Sequence, residues 1–192
     1  NLPALPEGAE GWFAIPSVNA LAKKHFPEVT DPVQKYCQAV QFVHAKIADS
    51  RQFCNYREGQ ITPAQLRVSA RTAHASDLIA ETQKGDILIV AAQFGMRHRG
   101  RSVRRAREVM NAVEFGLGAF AVGCMLLTHP EREAQWEQLH VDCAGDEFSP
   151  RADSGFSYSP YFHFHDGMLK FHTYWVSNTN AFYGSASAFL QQ

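Results

Sequence analysis

Residues 161–175 read YFHFHDGMLKFHTYW, and no other segment of the chain carries a stronger β signal. At the centre, Asp166-Gly167 is typical of a two-residue hairpin turn, which requires positive φ at both positions. On either side of this turn, apolar and polar residues alternate with the period of a strand. The two faces are Phe162, Phe164, Leu169 and Phe171 on the apolar side, and His163, His165, Met168, Lys170 and His172 on the other. Turn and pattern together predict an antiparallel hairpin late in the chain.

Helical signals dominate the sequence before residue 84. Ser17 is a suitable N-cap for a short helix that ends near Phe26. Asp31-Pro32 provides an N-cap with proline at the first helical position, and the apolar spacing that follows predicts a helix over about 32–48. The tetrapeptide 62–65 (TPAQ) has the form of a capping box, which predicts a third helix from Thr62 to about Gln83.

Mixed patterns follow residue 84. Residues 86–92 (DILIVAA) form a short, β-branched apolar run and predict a buried strand. Ser102 is placed to cap a helix that begins at Val103 and whose apolar stripe continues to Leu117. A shorter helix is predicted near residue 130, and alternation over 139–143 predicts another strand. We therefore predict an α+β fold, with N-terminal helices followed by a mixed region and a late antiparallel hairpin or sheet.

Length and composition favour one domain over residues 1–192, with a helical part at about 1–84 and a mixed α/β part at about 85–192. The chain has 192 residues, of which 45% are hydrophobic, and this is enough for a single hydrophobic core that needs no disulfides to stabilise it. The longest uncharged apolar run, 115–127, is 13 residues and too short to span a bilayer, so no membrane partner is predicted. Four widely spaced cysteines without a Cys-x-x-Cys pair indicate reduced core residues and a cytoplasmic location.

An arginine cluster is the sharpest chemical signal. Six of the twelve arginines lie within eleven residues, 97–107, with no acid among them. Guanidinium groups bind phosphate or carboxylate in a forked geometry, and a helix that begins after Ser102 would add free N–H donors. The predicted anion-binding or nucleic-acid-binding site consists of Arg97, Arg99, Arg101, Ser102, Arg104, Arg105 and Arg107.

Charge elsewhere in the chain supports a second hypothesis. The net charge is −1 and the pI is near 6.8, whereas nucleic-acid-binding domains are usually basic. Residues 108–166 contain ten acids, which can fold back on the arginines. The chain would then be a protein-interaction or regulatory module with internally paired charges, or one that binds an acidic protein partner.

A third hypothesis is a metal-dependent, hydrolase-like enzyme. The acidic loop 142–147 offers Asp142, Asp146 and Glu147 as carboxylates, and the hairpin offers histidines on one face. The sequence has neither His-Glu-x-x-His nor Gly-x-Ser-x-Gly, so no metal site, no cofactor and no catalytic residue are predicted, and enzyme activity is left open. A non-catalytic binding module that contacts a polyanion, above all nucleic acid, is the favoured interpretation.

Overall fold

The computed structural model describes residues 2–191 and has an α+β fold. Within that range there are five α-helices and eleven β-strands in two sheets. The helices are α1 Val18–His25, α2 Pro32–Ser50, α3 Ala70–Thr82, α4 Val103–Val109 and α5 Ala119–Thr128. The strands are β1 Gly11–Pro16, β2 Phe53–Asn55, β3 Leu66–Val68, β4 Ile87–Gln93, β5 Glu114–Gly116, β6 His140–Asp142, β7 Asp146–Phe148, β8 Tyr158–His165, β9 Met168–Trp175, β10 Tyr183–Ser185 and β11 Ser187–Phe189.

The smaller sheet is antiparallel, with strand order β1-β4-β11-β5. The predicted strand at 86–92 is confirmed as β4, which pairs with β1 along its length. Its other neighbour is β11, from the far end of the chain, and β11 in turn pairs with β5. Distant parts of the sequence therefore build this sheet.

The larger sheet is organised around the predicted hairpin, which is confirmed as β8 and β9. Its turn residues Asp166 and Gly167 have φ values of 54° and 76°, and Phe162 pairs with Phe171 as the turn requires. Strand β8 also pairs with β6 and β7, which extend the sheet to β10 and β3 respectively. Strands β2 and β10 add in parallel, β2 to β9 and β10 to β6, so the sheet is mixed.

The main core packs the long helix α2 and the apolar helix α5 against the inner face of the larger sheet. Gly123 permits a close approach of the two helices, because a Cβ there would lie 2.5 Å from Cγ1 of Val43. Phe162 and Phe171 of the hairpin are fully buried in the same cluster. This cluster takes residues from both sides of residue 84, and the interpretation of residues 1–192 as one domain stays a prediction.

The segment 115–127, which was too short to span a membrane on sequence grounds, contains most of α5. Within the part of the chain that the structure describes, no helix combines the length and apolar content that crossing a bilayer requires.

The third predicted helix was wrong at its start. Residues 62–65 form a turn in which the Thr62 carbonyl accepts hydrogen bonds from Gln65 N and Leu66 N, and β3 follows at once. Leu66 is fully buried and pairs with Phe148 of β7, so sheet pairing and core burial prevail over the capping pattern. Helix α3 begins seven residues later than the Pro63 start that the capping box implied, after an N-cap at Ser69.

Three further expectations need correction. The part predicted to be helical contains β1, β2 and β3, because each of these strands pairs with a strand that follows residue 84. Helix α4 ends at Val109 rather than near Leu117, since the Asn111 side chain accepts hydrogen bonds from the backbone N–H groups of Val113 and Glu114 and turns the chain into β5. Residues 130–138 form turns instead of a short helix.

The relocated start of α3 gives a stability prediction. We expect Ser69→Ala to lower the free energy of unfolding by about 0.5–2 kcal/mol, because the Ser69 hydroxyl caps the backbone N–H of Thr72. Thr62→Ala, at the N-cap position that the capping-box pattern predicts, is the matched control and should lower the free energy of unfolding by less. Urea unfolding followed by circular dichroism measures both, and an equal or larger loss in Thr62→Ala would contradict this account of the helix.

Candidate nucleic-acid interface

The arginine segment, residues 97–107, runs along the outer edge of β10. Gly100 N donates to the Tyr183 carbonyl at 2.9 Å, and Arg104 N donates to the Val176 carbonyl at 2.9 Å. Just before the segment, Gly95 has φ of 114°, and a Cβ there would lie 2.5 Å from the Gly184 carbonyl oxygen. The segment is therefore fixed against the larger sheet by its backbone.

A buried carboxylate, Glu114, fixes the start of the segment. It is 1% exposed and accepts hydrogen bonds from Ser187 Oγ at 2.6 Å, His98 Nε2 at 2.7 Å and Arg97 Nε at 3.2 Å. Burial raises the pKa of Glu114, but the hydrogen bonds from His98 and Ser187 and the charge of Arg97 outweigh it, and the net pKa lies below its ordinary value. At neutral pH the carboxylate is ionised and fully satisfied.

Three of the seven predicted site residues make structural contacts. Arg97 is the ion-pair partner of Glu114. Arg107 donates to the backbone carbonyls of Ala144 at 2.8 Å and Asp146 at 2.6 Å. Ser102 is buried, and its hydroxyl caps α4 by accepting from Arg105 N at 3.2 Å.

The other four predicted residues, Arg99, Arg101, Arg104 and Arg105, are exposed. Arg105 pairs with Glu108 at 3.1 Å, one turn along α4. Among residues 2–191, no acid forms an ion pair with the remaining three, Arg99, Arg101 and Arg104. Arg99 Nε donates instead to the Ala181 carbonyl at 3.0 Å, and Arg101 Nη1 donates to His98 Nδ1 at 3.0 Å. Three exposed guanidinium groups thus belong to one segment whose backbone is anchored on the sheet.

In the described chain, every acid of residues 108–166 that forms an ion pair is paired with a residue other than these three arginines. Glu147 binds Arg67 at 2.7 Å, and Asp166 binds Lys170 at 2.9 Å. The predicted neutralisation of the cluster by this acidic stretch occurs only at Arg97 and Arg105 in the described chain.

The acidic loop does not assemble as one group. Asp142 lies opposite Tyr161 in the sheet, on the same face as the hairpin histidines, and burial raises its pKa to about 7. The Asp146 carboxylate lies elsewhere, where it accepts from the Tyr36 hydroxyl and from Ala119 N at the start of α5, both at 2.7 Å. Within residues 2–191, no cluster of three or more His, Cys, Asp or Glu side chains has an arrangement suited to a metal ion.

The face of the larger sheet opposite the core carries an aromatic layer that sequence reasoning detected only in part. The hairpin pattern placed His163, His165 and His172 there. The layer also contains Tyr161 and Tyr174 of the hairpin itself. Further rings come from other elements and contact these or each other: Tyr56, Trp136, His140 and Tyr183. Tyr183 lies in a tail for which no element was predicted, and Trp136 was assigned to the short helix predicted near residue 130, so neither was placed on this face.

The histidines of this layer are mostly neutral near pH 7. Burial, together with a smaller effect of the nearby His165, lowers the pKa of His140 to about 4. For His163, burial together with the positive charges around it likewise gives a pKa of about 4. His140 and His163 therefore present uncharged rings near a positively charged segment.

Comparison with known proteins gives no assignment. No protein-family model matches the chain, and neither the curated proteins nor the solved structures contain a significant match. A proposal about the function of this protein therefore rests on its fold and on the geometry of the candidate site.

Glu114 gives a prediction about stability. We expect Glu114→Gln to lower the free energy of unfolding by about 2–4 kcal/mol at pH 7, because it removes the charge that satisfies His98 and Arg97. The folded pKa of Glu114 is depressed, so its contribution is present above its ordinary pKa of 4.5 and is lost as pH falls through the folded value. The difference in free energy of unfolding between wild type and Glu114→Gln should therefore become smaller at acidic pH. Exposed Glu108→Gln is the control, and an equal loss in both variants at pH 7 would refute the role assigned to Glu114.

Asp142 gives a prediction with the opposite sign. Its folded pKa of about 7 lies above the ordinary value of 3.8, so the wild-type protein loses stability as pH rises from about 4 to 7. We expect Asp142→Asn to gain up to about 4 kcal/mol relative to wild type at pH 8, and nothing at pH 4. Denaturant unfolding across this range measures the difference. Asp77→Asn, on the exposed surface of α3, is the control, and a difference for Asp142→Asn that does not depend on pH would contradict the assignment.

Proposed function

We propose that this protein is a non-catalytic nucleic-acid-binding module that contacts phosphate groups through Arg99, Arg101 and Arg104. One observation carries the proposal: these three guanidinium groups are exposed, lie within six residues of each other in the sequence, and form no ion pair with an acid in the described chain. Guanidinium is the side-chain group best shaped for bidentate contact with phosphate oxygens.

The anchoring of the segment supports binding to a regularly charged polymer. Backbone hydrogen bonds at Gly100 and Arg104 fix the loop and the start of α4 on the sheet, so less conformational entropy is lost when a ligand binds. Phosphates repeat along a nucleic-acid strand, and several positioned cations can contact successive groups. A local basic surface of this kind is compatible with the overall net charge of −1.

A cytoplasmic location belongs to the same proposal. All four cysteines are free, and Cys37, Cys124 and Cys143 are buried. Reduced cysteines are the rule in compartments where thiols are kept reduced, and nucleic acids are available there.

Fluorescence anisotropy with labelled oligonucleotides, from about 50 to 200 mM salt, tests the proposal. We expect binding to weaken steeply with salt, because each phosphate contact releases counterions. The triple variant Arg99→Gln/Arg101→Gln/Arg104→Gln should lose most of the affinity and lower the slope of log K against log salt by about two, at roughly 0.7 per contact for a single strand.

A charge-matched control separates local contact from general attraction. The triple variant Lys23→Gln/Lys24→Gln/Lys84→Gln removes three exposed positive charges elsewhere and should bind like the wild type. No binding of any oligonucleotide at 50 mM salt would overturn the proposal, as would an equal loss in the two triple variants. Capture of an acidic protein in a nuclease-treated extract, without competition by free nucleic acid, would instead favour the protein-interaction hypothesis.

A further inference from the structure

Several exposed aromatic residues lie around the larger sheet. In the described chain, the large aromatic side chains that are at least about a third exposed are Tyr56, Trp136, Tyr174, Trp175 and Phe182. Tyr56, Trp136 and Tyr174 contact the aromatic layer of the outer face, whereas Trp175 packs against Tyr158 on the opposite face. Phe182 is 63% exposed. Exposed apolar surface gathered in one place indicates a binding surface, because it is costly to leave in water.

One of these aromatic residues, Phe182, lies between two backbone contacts of the arginine segment. Arg99 Nε donates to the carbonyl of Ala181, the residue immediately before Phe182. Gly100 N donates to the carbonyl of Tyr183, the residue immediately after it. Two consecutive residues of the arginine segment therefore contact the chain on either side of an exposed aromatic residue.

The ring of Tyr174 has a defined orientation. It stacks on Tyr183, with ring centroids 5.8 Å apart and an interplanar angle of 20°. Gly100 N of the arginine segment donates to the Tyr183 carbonyl, so this ring pair and the segment share one backbone contact. The ring is held in place before any ligand binds, which lowers the entropy cost of stacking against it.

We propose that Tyr174 and Phe182 stack against the bases of a single-stranded nucleic acid whose phosphates contact Arg99, Arg101 and Arg104. The inference rests on the proposed function and specifies its ligand. Bases of a duplex are stacked on each other and offer no free face, whereas single-strand binding proteins combine a basic path with aromatic stacking platforms.

Charge distribution favours a nucleic acid over an apolar protein partner. Beside the exposed rings lie neutral histidines, and the Asp142 carboxylate on the same face is buried. Arg99, whose guanidinium contacts the chain next to Phe182, is exposed and forms no ion pair with an acid in the described chain, and an apolar protein surface would leave it desolvated and unpaired. A ligand with flat apolar bases and regularly spaced anions satisfies both features.

An abasic oligonucleotide separates the two contributions. The ligands are a labelled twelve-residue thymidine oligonucleotide, an abasic strand with the same number of phosphates, and a twelve-base-pair duplex. Wild-type protein should bind the thymidine strand at least tenfold more tightly than the abasic strand and the duplex. Phe182→Ala and Tyr174→Ala should each weaken binding of the thymidine strand by roughly fivefold to a hundredfold while leaving the abasic strand unaffected.

Two further variants sharpen the test. Tyr56→Ala removes an exposed aromatic side chain beside β9, at the edge of the sheet opposite β10, and should change binding of either strand less than twofold. The arginine triple variant should weaken both strands by similar factors.

The possible failures are distinguishable. Equal affinity for the thymidine and abasic strands, with a steep salt dependence, would overturn base stacking and leave the phosphate-binding proposal standing. Tight binding of the duplex with no loss in Phe182→Ala would overturn the single-strand preference in the same way. If no strand binds at 50 mM salt, the proposed function itself fails.

Discussion

The structure depends on the buried carboxylate of Glu114. One side chain joins three distant parts of the chain, because it accepts hydrogen bonds from Ser187 of β11 and from His98 and Arg97 at the start of the arginine segment. An ionised carboxylate is costly to bury unless several donors satisfy it, and here all of them come from elements that must be correctly placed. This contact holds the start of a loop of like charges against the smaller sheet.

The same arrangement explains why one arginine cluster has two roles. Arg97 and Arg107 are used by the fold itself, through Glu114 and through the carbonyls of the acidic loop. By fixing both ends of the segment, they leave Arg99, Arg101 and Arg104 exposed in defined positions. The cost of holding like charges together is thereby offset by internal contacts, and the exposed groups are organised before any ligand is bound.

The sequence predicted elements whose signals are local. The Asp166-Gly167 turn, the Asp31-Pro32 cap and the Ser102 cap each act within a few residues, and each is present in the structure. Contacts between distant residues could not be predicted from the sequence: Ser187 lies 73 residues from Glu114, and three-residue strands such as β10 and β11 are too short to show a period.

At residues 62–65 a local rule failed, because pairing of β3 with β7 and burial of Leu66 outweighed a capping pattern. Of the candidate site, the arginines were visible in the sequence, whereas their exposure and the aromatic neighbours depend on tertiary structure.

The position of β11 has a consequence for how the chain folds. This strand comes from residues 187–189 yet occupies an interior place in the smaller sheet, between β4 and β5. That sheet is incomplete until residue 189 joins it, so its closure couples segments almost a hundred residues apart and should be slow relative to formation of the local hairpin. Until then β4, a run of mostly apolar residues, has an unpaired edge that is open to other chains. During synthesis the nascent protein would therefore be more prone to aggregation until β11 emerges.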